Sequence, residues 1–130
     1  MMTVVSVAAI AFSMLILDAI WLTARAPMNR AVFAAIQGAP LDIQWLPAAL
    51  CYIVMITGVW FFTSGASTIL DAATNGAALG AVVYGTYDLT MWATLKRYPA
   101  SAALADWAWG IFLFASAGAA GFYAKALAFK

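Results

Sequence analysis

Four long apolar runs dominate the 130 residues of this chain and constrain its fold more than any other feature. The runs cover about residues 3–22, 45–63, 72–95 and 102–124. A bilayer core about 30 Å thick requires roughly 20 apolar residues per helix, and backbone groups in lipid must be hydrogen-bonded within their own segment. We therefore predict an all-α fold, in which residues 1–130 form a single four-helix transmembrane bundle.

Charged residues are too few to coat a water-facing surface. Hydrophobic residues make up 67% of the chain and charged residues 8%, whereas a soluble domain is about half apolar and about a quarter charged. This composition argues against a soluble enzyme, a disordered segment and a nucleic-acid partner, because the last two need charge. With no His and one cysteine, Cys51, the chain also excludes a catalytic histidine, a metal site built on His or on a Cys cluster, and an internal disulfide.

The basic residues predict the orientation of the bundle. Connections one and three lie on the same side of an even-numbered bundle and carry most of the Lys and Arg residues. By the positive-inside rule these connections are cytoplasmic and both termini lie outside. The two sets are Arg25, Arg30, Lys96 and Arg97 on one side, and Lys125 and Lys130 on the other.

The first connection contains a further helical signal. Pro27 suits the first turn of a helix and Gly38 suits a helix end. Between them, Val32, Phe33 and Ile36 fall on one helical face. The pattern predicts a short interfacial amphipathic helix that lies on the membrane surface, and a loop that shields the bundle is the alternative.

Small residues recur in the third and fourth runs. A GxxxG pattern extends from Gly76 to Gly80, and the fourth run contains Ala117, Gly118 and Gly121. Membrane helices associate through such close backbone contacts. We expect these Gly/Ala faces to pack within the bundle, and a homodimer through them is the alternative.

Three aspartates, Asp18, Asp88 and Asp106, fall inside the predicted spans. An aspartate at the centre of a membrane helix costs roughly 2.5 to 3.5 kcal/mol to insert. With a helical rise of about 1.5 Å per residue, each of the three lies roughly 10 to 12 Å from the basic edge of the bundle. The carboxyl groups are therefore expected to meet at one level in the membrane.

The third run surrounds its aspartate with hydroxyl groups. Tyr84, Tyr87 and Asp88 share a helical face at i, i+3 and i+4 spacing. Thr86 and Thr90 belong to a second polar stripe on the same helix. These side chains are candidates for hydrogen bonds to a ligand.

The first and fourth runs share an Asp-x-x-Trp segment. Asp18 is followed by Trp21, and Asp106 is followed by Trp109 at the same spacing. The match is a faint internal repeat, in which each aspartate lies beside a tryptophan.

Two interpretations of the aspartates stay open. In the first they stabilise the bundle by bonding to hydroxyl, indole or basic groups of facing helices. In the second they line a one-sided acidic pocket that opens on the basic side, where Asp88 acts as general acid or base and Asp18 and Asp106 act as its electrostatic partners. The ligand-binding residues of this pocket are Tyr84, Tyr87, Thr86, Thr90, Trp21 and Trp109.

A one-sided pocket favours the binding of a membrane lipid or another small amphiphile, which the protein as an enzyme would also modify. The opposite half of the spans offers few polar residues, which disfavours a pore. A proton-coupled small transporter working as a dimer is the second hypothesis, and a structural subunit of a larger membrane assembly is the third. Three carboxylates could hold Mg²⁺ or Ca²⁺, but no ligand spacing demands a metal, and no cofactor is indicated.

The polar segments of the chain resemble a known family. The residues that carry the resemblance are Leu17-Asp-Ala-Ile-Trp-Leu22, Tyr84-Gly-Thr-Tyr-Asp-Leu-Thr90 and Asp106-Trp-Ala-Trp-Gly110. Together they are similar to the bacterial predicted membrane proteins grouped as domain of unknown function twenty-one seventy-seven. The pair Met91-Trp92 departs from the family, which favours a smaller or amide residue there. The resemblance spans nearly the whole chain and implies a four-helix protein of the inner membrane, without an activity.

Overall fold

Four helices and no strand form the fold in the computed structural model, which describes all 130 residues. They are α1 (Met2–Gln37), α2 (Trp45–Thr63), α3 (Ile69–Thr94) and α4 (Ala100–Ala128). The predicted all-α four-helix fold is confirmed. Three helices, α1, α2 and α4, are long and apolar enough to cross a membrane. The predicted third span, α3, is not one of these three.

Helix α4 is the central element of the bundle. It packs most extensively against α3 and next against α1, while α2 makes smaller contacts with each of the other three helices. Helices α1 and α3 do not pack against each other, because α4 lies between them. The main core lies where α1, α2 and α4 converge, and its fully buried members are Ile10, Met14, Val59, Leu113, Phe114 and Ala117.

Glycines bring the backbones of α3 and α4 into close contact. A Cβ atom added at Gly118 would lie 2.6 Å from the carbonyl oxygen of Ala72. One added at Gly80 would lie 2.9 Å from the Cβ of Phe114 and would also meet the carbonyl of Gly110. Because backbone atoms cannot move aside cheaply, only glycine fits at these positions. The expected packing of the Gly/Ala faces within the bundle is present, while a homodimer stays a prediction.

The separate interfacial helix predicted for the first connection is not confirmed. Helix α1 continues through Pro27 without a break to Gln37. It ends at Gly38, whose backbone is left-handed (φ 72°) and whose N–H donates to the carbonyl of Ala34. Pro27 therefore lies inside a 36-residue helix rather than at the start of a new one.

Contacts with the bundle explain why α1 extends so far. The apolar face formed by Val32, Phe33 and Ile36 packs against a second buried cluster, at the start of α4. That cluster includes Tyr98 and Ala102, and the rings of Phe33 and Tyr98 meet edge-on with centroids 6.3 Å apart. The face that suggested a membrane-surface helix is therefore partly buried against protein, and this packing outweighs the helix-breaking tendency of a proline.

Substitution of Gly80 should separate α3 from α4. We expect Gly80→Ala to lower the free energy of unfolding by about 1–3 kcal/mol, the usual range for overpacking, because the new methyl group meets backbone atoms. Thermal unfolding in detergent measures the effect. Gly65→Ala is the matched control, since nothing lies within 4 Å of a Cβ at that position. Equal stability of the two variants would contradict the proposed close contact.

Candidate functional site

Two tryptophan–aspartate hydrogen bonds join α1 to α4. The indole Nε1 of Trp21 donates to Oδ1 of Asp106 at 2.9 Å, and that of Trp109 donates to Oδ1 of Asp18 at 3.0 Å. The two indole rings stack with their centroids 4.7 Å apart and their planes 2° from parallel. Each aspartate therefore binds the tryptophan of the other Asp-x-x-Trp segment.

The antiparallel arrangement of α1 and α4 produces this exchange. Ser6, near the start of α1, donates to the carbonyl of Gly121, near the end of α4, at 3.1 Å. One helix therefore presents its aspartate before its tryptophan and the other presents them in the opposite direction. Because residues three apart share a helical face, each carboxyl lies opposite an indole N–H.

Asp18 is fully occupied by helix-to-helix contacts. Besides the bond from Trp109, its Oδ2 accepts a bond from the hydroxyl of Tyr52 on α2. The side chain is only 5% exposed, and both oxygens have donors. Its surroundings match the interpretation of aspartates as groups that hold the helices together, here α1, α2 and α4.

Asp88 has the opposite environment. It is completely buried, and neither carboxyl oxygen receives a bond from an N–H or O–H donor. Its neighbouring ionisable group is the carboxyl of Asp106. Two carboxyl groups can share a hydrogen bond only when one of them holds a proton. The protonation state of Asp88 therefore depends on that of Asp106.

The three carboxyl groups lie near one another, with Asp106 in contact with Asp88 and within electrostatic range of Asp18. Their common level in the membrane stays a prediction. Their surroundings differ, however, because only Asp18 is fully satisfied by donors. No three acidic or thiol side chains come together in a group that could hold a metal ion. The catalytic roles assigned to the three residues stay predictions.

The two tyrosines of α3, Tyr84 and Tyr87, lie in different surroundings. The ring of Tyr84 lies directly over Gly110, where a Cβ would clash with it, and meets the ring of Phe114 edge-on at 5.8 Å. It is thus a packing contact between α3 and α4. Tyr87 instead lies at the wall of a cavity beside Asp106.

Thr86 and Thr90 lie away from the carboxyl groups. They border an open groove of about 470 Å³ between α3 and α4, which also contains Trp107. The indole Nε1 of Trp107 donates to the carbonyl of Ala81 at 2.9 Å. The structure therefore does not bring these two threonines together with the predicted acidic site.

A cavity of about 130 Å³ is present beside Asp106. Asp106 is the one acidic residue that lines the cavity, because neither Asp18 nor Asp88 reaches its wall. The wall combines polar and apolar side chains from α1, α3, α4 and the connection that precedes α4. The lining residues are Leu22, Arg25, Asn29, Phe33, Tyr87, Tyr98, Ala102 and Asp106.

The cavity offers groups of both charges. Arg25 provides the positive charge, and its guanidinium carbon lies 5.2 Å from the centroid of the Trp21 ring, a cation–π contact. Asp106 provides the carboxyl group. Burial, reinforced by the nearby carboxyl of Asp88, raises the pKa of Tyr98 to about 12. The Tyr98 hydroxyl therefore keeps its proton and can donate a hydrogen bond.

Four residues that line the cavity or bind one of the carboxyl groups were not part of the predicted site. Arg25 and Asn29 follow the predicted end of the first span, but they stand four and eight residues after Trp21 and so continue its helical face. Tyr52 is the only polar aromatic residue of α2 that reaches a carboxyl, and Tyr98 follows two basic residues in a connection. Continuing the first helix beyond residue 22 and through Pro27 would have identified Arg25 and Asn29 as residues on this face.

One comparison with known proteins gives a match. A family model described as "Predicted membrane protein (DUF2177)" matches residues 3–123, nearly the whole chain. No curated protein and no solved structure matches the chain.

Loss of one indole N–H should weaken the link between α1 and α4. Trp21→Phe keeps an aromatic ring but removes the donor to the half-buried Asp106, and a hydrogen bond of this kind contributes about 0.5–1.5 kcal/mol. We expect that decrease in unfolding free energy, measured by chemical unfolding in detergent. Trp45→Phe is the control, because Trp45 is 76% exposed. If both variants unfold alike, the exchange of bonds does not contribute to stability.

Proposed function

This chain belongs to the DUF2177 family of predicted membrane proteins, and from that premise we propose that it binds the polar head of a small amphiphile or lipid beside Asp106. The observation that carries the proposal is the cavity that places Arg25 and Asp106 in one wall. A site with both charges is complementary to a zwitterionic head group. Its ammonium would face Asp106 and its phosphate would face Arg25.

The size of the cavity supports a head group rather than a whole ligand. Its volume of about 130 Å³ is below the roughly 300–1,000 Å³ of ordinary ligand pockets. The acyl chains would therefore lie outside it, along apolar helix surface. Leu22 borders the cavity and is 47% exposed, and Tyr87 is 51% exposed. These two side chains connect the polar cavity with the lipid-facing surface.

Neutral groups complete the proposed site. Asn29 and the hydroxyls of Tyr87 and Tyr98 line the same cavity. They can donate to phosphate oxygens or accept from an ammonium group. In this proposal Asp18 and Trp109 have no direct contact with the ligand and hold the wall in place instead. Chemical modification of the bound amphiphile would require Asp106 as the acid or base, since it is the carboxyl that lines the cavity.

The orientation belongs to the same proposal. We place the protein in the bacterial inner membrane with several passes, the first and third connections in the cytoplasm and both termini outside. Arg25 then faces the cytoplasmic leaflet, where the cavity would receive its ligand. A dimeric proton-coupled transporter receives less support, because side chains such as Ile10, Met14 and Leu113 fill the bundle interior on the other side of the carboxyls. A structural subunit has no specific observation in its favour.

Neutralising Arg25 should weaken binding of a zwitterionic lipid. Charge-assisted hydrogen bonds contribute about 1.5–3 kcal/mol, and 1.4 kcal/mol corresponds to about a tenfold change in affinity. We therefore expect Arg25→Gln to retain a short-chain phosphatidylethanolamine about tenfold less well than the wild type. Native mass spectrometry of the detergent-purified protein measures the retained lipid.

Two comparisons test the assignment of the head group. Arg30→Gln is the matched control, because Arg30 lies on the same helix, is exposed and does not line the cavity. Phosphatidylglycerol, which lacks the ammonium group, should be retained less well than phosphatidylethanolamine. Unchanged retention by Arg25→Gln, or a preference for phosphatidylglycerol, would contradict the proposed function.

A further inference from the structure

The carboxyl of Asp88 requires a partner that α3 itself does not supply. It is a fully buried side chain, and both oxygens lack an N–H or O–H donor. An isolated ionised carboxylate in a low-dielectric interior is very unfavourable, so such groups are paired or neutral. Among buried polar side chains of the bundle, Asp88 is the one whose oxygens are left without a donor. Its partner must come from a neighbouring element.

The groups around Asp88 and Asp106 favour retention of a proton. Helix α1 contributes Asp18 and Arg25, and α3 contributes Tyr84 and Tyr87. The connection before α4 contributes Tyr98. Helix α2 contributes Tyr52, which is bound to Asp18. Three carboxyl groups therefore face a single cation, Arg25, which acts on Asp106. A proton on one carboxyl removes one of the three negative charges.

We propose that Asp88 and Asp106 bind one exchangeable proton between them and that this proton reaches solvent at the cavity beside Asp106. In the protonated pair the O–H of one carboxyl donates to the oxygen of the other. The pair then carries one negative charge. Release of the proton to solvent leaves two facing carboxylates, and uptake restores the O–H bond. No other bond forms or breaks.

The position of Asp106 gives the pair its route to solvent. Asp88 is inaccessible, whereas Asp106 lies in contact with it and in the wall of the cavity. Trp21 holds one oxygen of Asp106 at 2.9 Å and so keeps the carboxyl at this boundary. Arg25, in the same wall, stabilises the negative charge that the pair retains. The proton site does not depend on amphiphile binding.

Infrared spectroscopy of the full chain in lipid nanodiscs tests the proposal. A protonated carboxylic acid has a carbonyl band that is distinct from the carboxylate bands. We expect this band at neutral pH in the wild type, and we expect it to shift in heavy water because the proton exchanges. Asp88→Asn and Asp106→Asn should each lose the band completely, because the amide N–H donates to the remaining carboxylate and replaces the proton.

The same infrared spectra, recorded for a control variant, show whether the band belongs to the carboxyl pair. Asp42→Asn removes an exposed carboxyl in the first connection and should leave the band unchanged. The proposal is overturned if the folded wild type lacks the band, if the band does not shift in heavy water, or if it survives in either folded pair variant. Thermal unfolding establishes which variants fold. If one pair variant does not fold, the wild-type spectra and the other variant still decide.

Discussion

The exchange of hydrogen bonds between two Asp-x-x-Trp segments is the interaction on which the membrane-embedded part of this structure depends. Carboxyl groups in an apolar bundle are unfavourable unless donors satisfy them, and the indoles of Trp21 and Trp109 supply those donors across the α1–α4 contact. The two indole rings also stack on each other across the same contact. Because neither helix can satisfy its own carboxyl in this way, the polar groups favour one pairing and one register of α1 against α4.

This arrangement leaves the three carboxyl groups chemically unequal. Asp18, with donors from two helices, is a structural group whose oxygens are already used. Asp106 has one donor and faces both the cavity and Asp88. Asp88 has no donor at all. The satisfied carboxyl of Asp18 connects the helices, which agrees with the first of the two interpretations of the aspartates. The second interpretation, a functional acidic site, stays a proposal for Asp88 and Asp106.

Much of the fold and part of the site could be predicted from the sequence. The limits of α2 follow from hydrophobicity alone, and helical rise predicts that the three aspartates lie near one another. The course of α1 beyond Pro27 could not be predicted, because it depends on contacts between Phe33 and Tyr98 that no local pattern reveals. Because the predicted first span ended at residue 22, Arg25 and Asn29 were left out of the predicted site. Spacing along α3 places threonines and Asp88 on one helix, but only tertiary packing shows that Thr86 borders a different groove.

Glycines in α3 and α4 allow both the close packing of these two helices and the approach of Asp88 to Asp106. Gly110 lies one turn after Asp106 on α4, and its lack of a side chain lets the ring of Tyr84, one turn before Asp88 on α3, rest on the helix backbone. Gly85 admits the ring of Trp107 in the same way. These contacts bring the two helix axes closer than larger side chains would permit, at the level where Asp88 and Asp106 project toward each other. A carboxyl side chain is short, so a wider separation would place the two groups beyond hydrogen-bonding range. The glycines that pack α3 on α4 are therefore also a condition for the proton site.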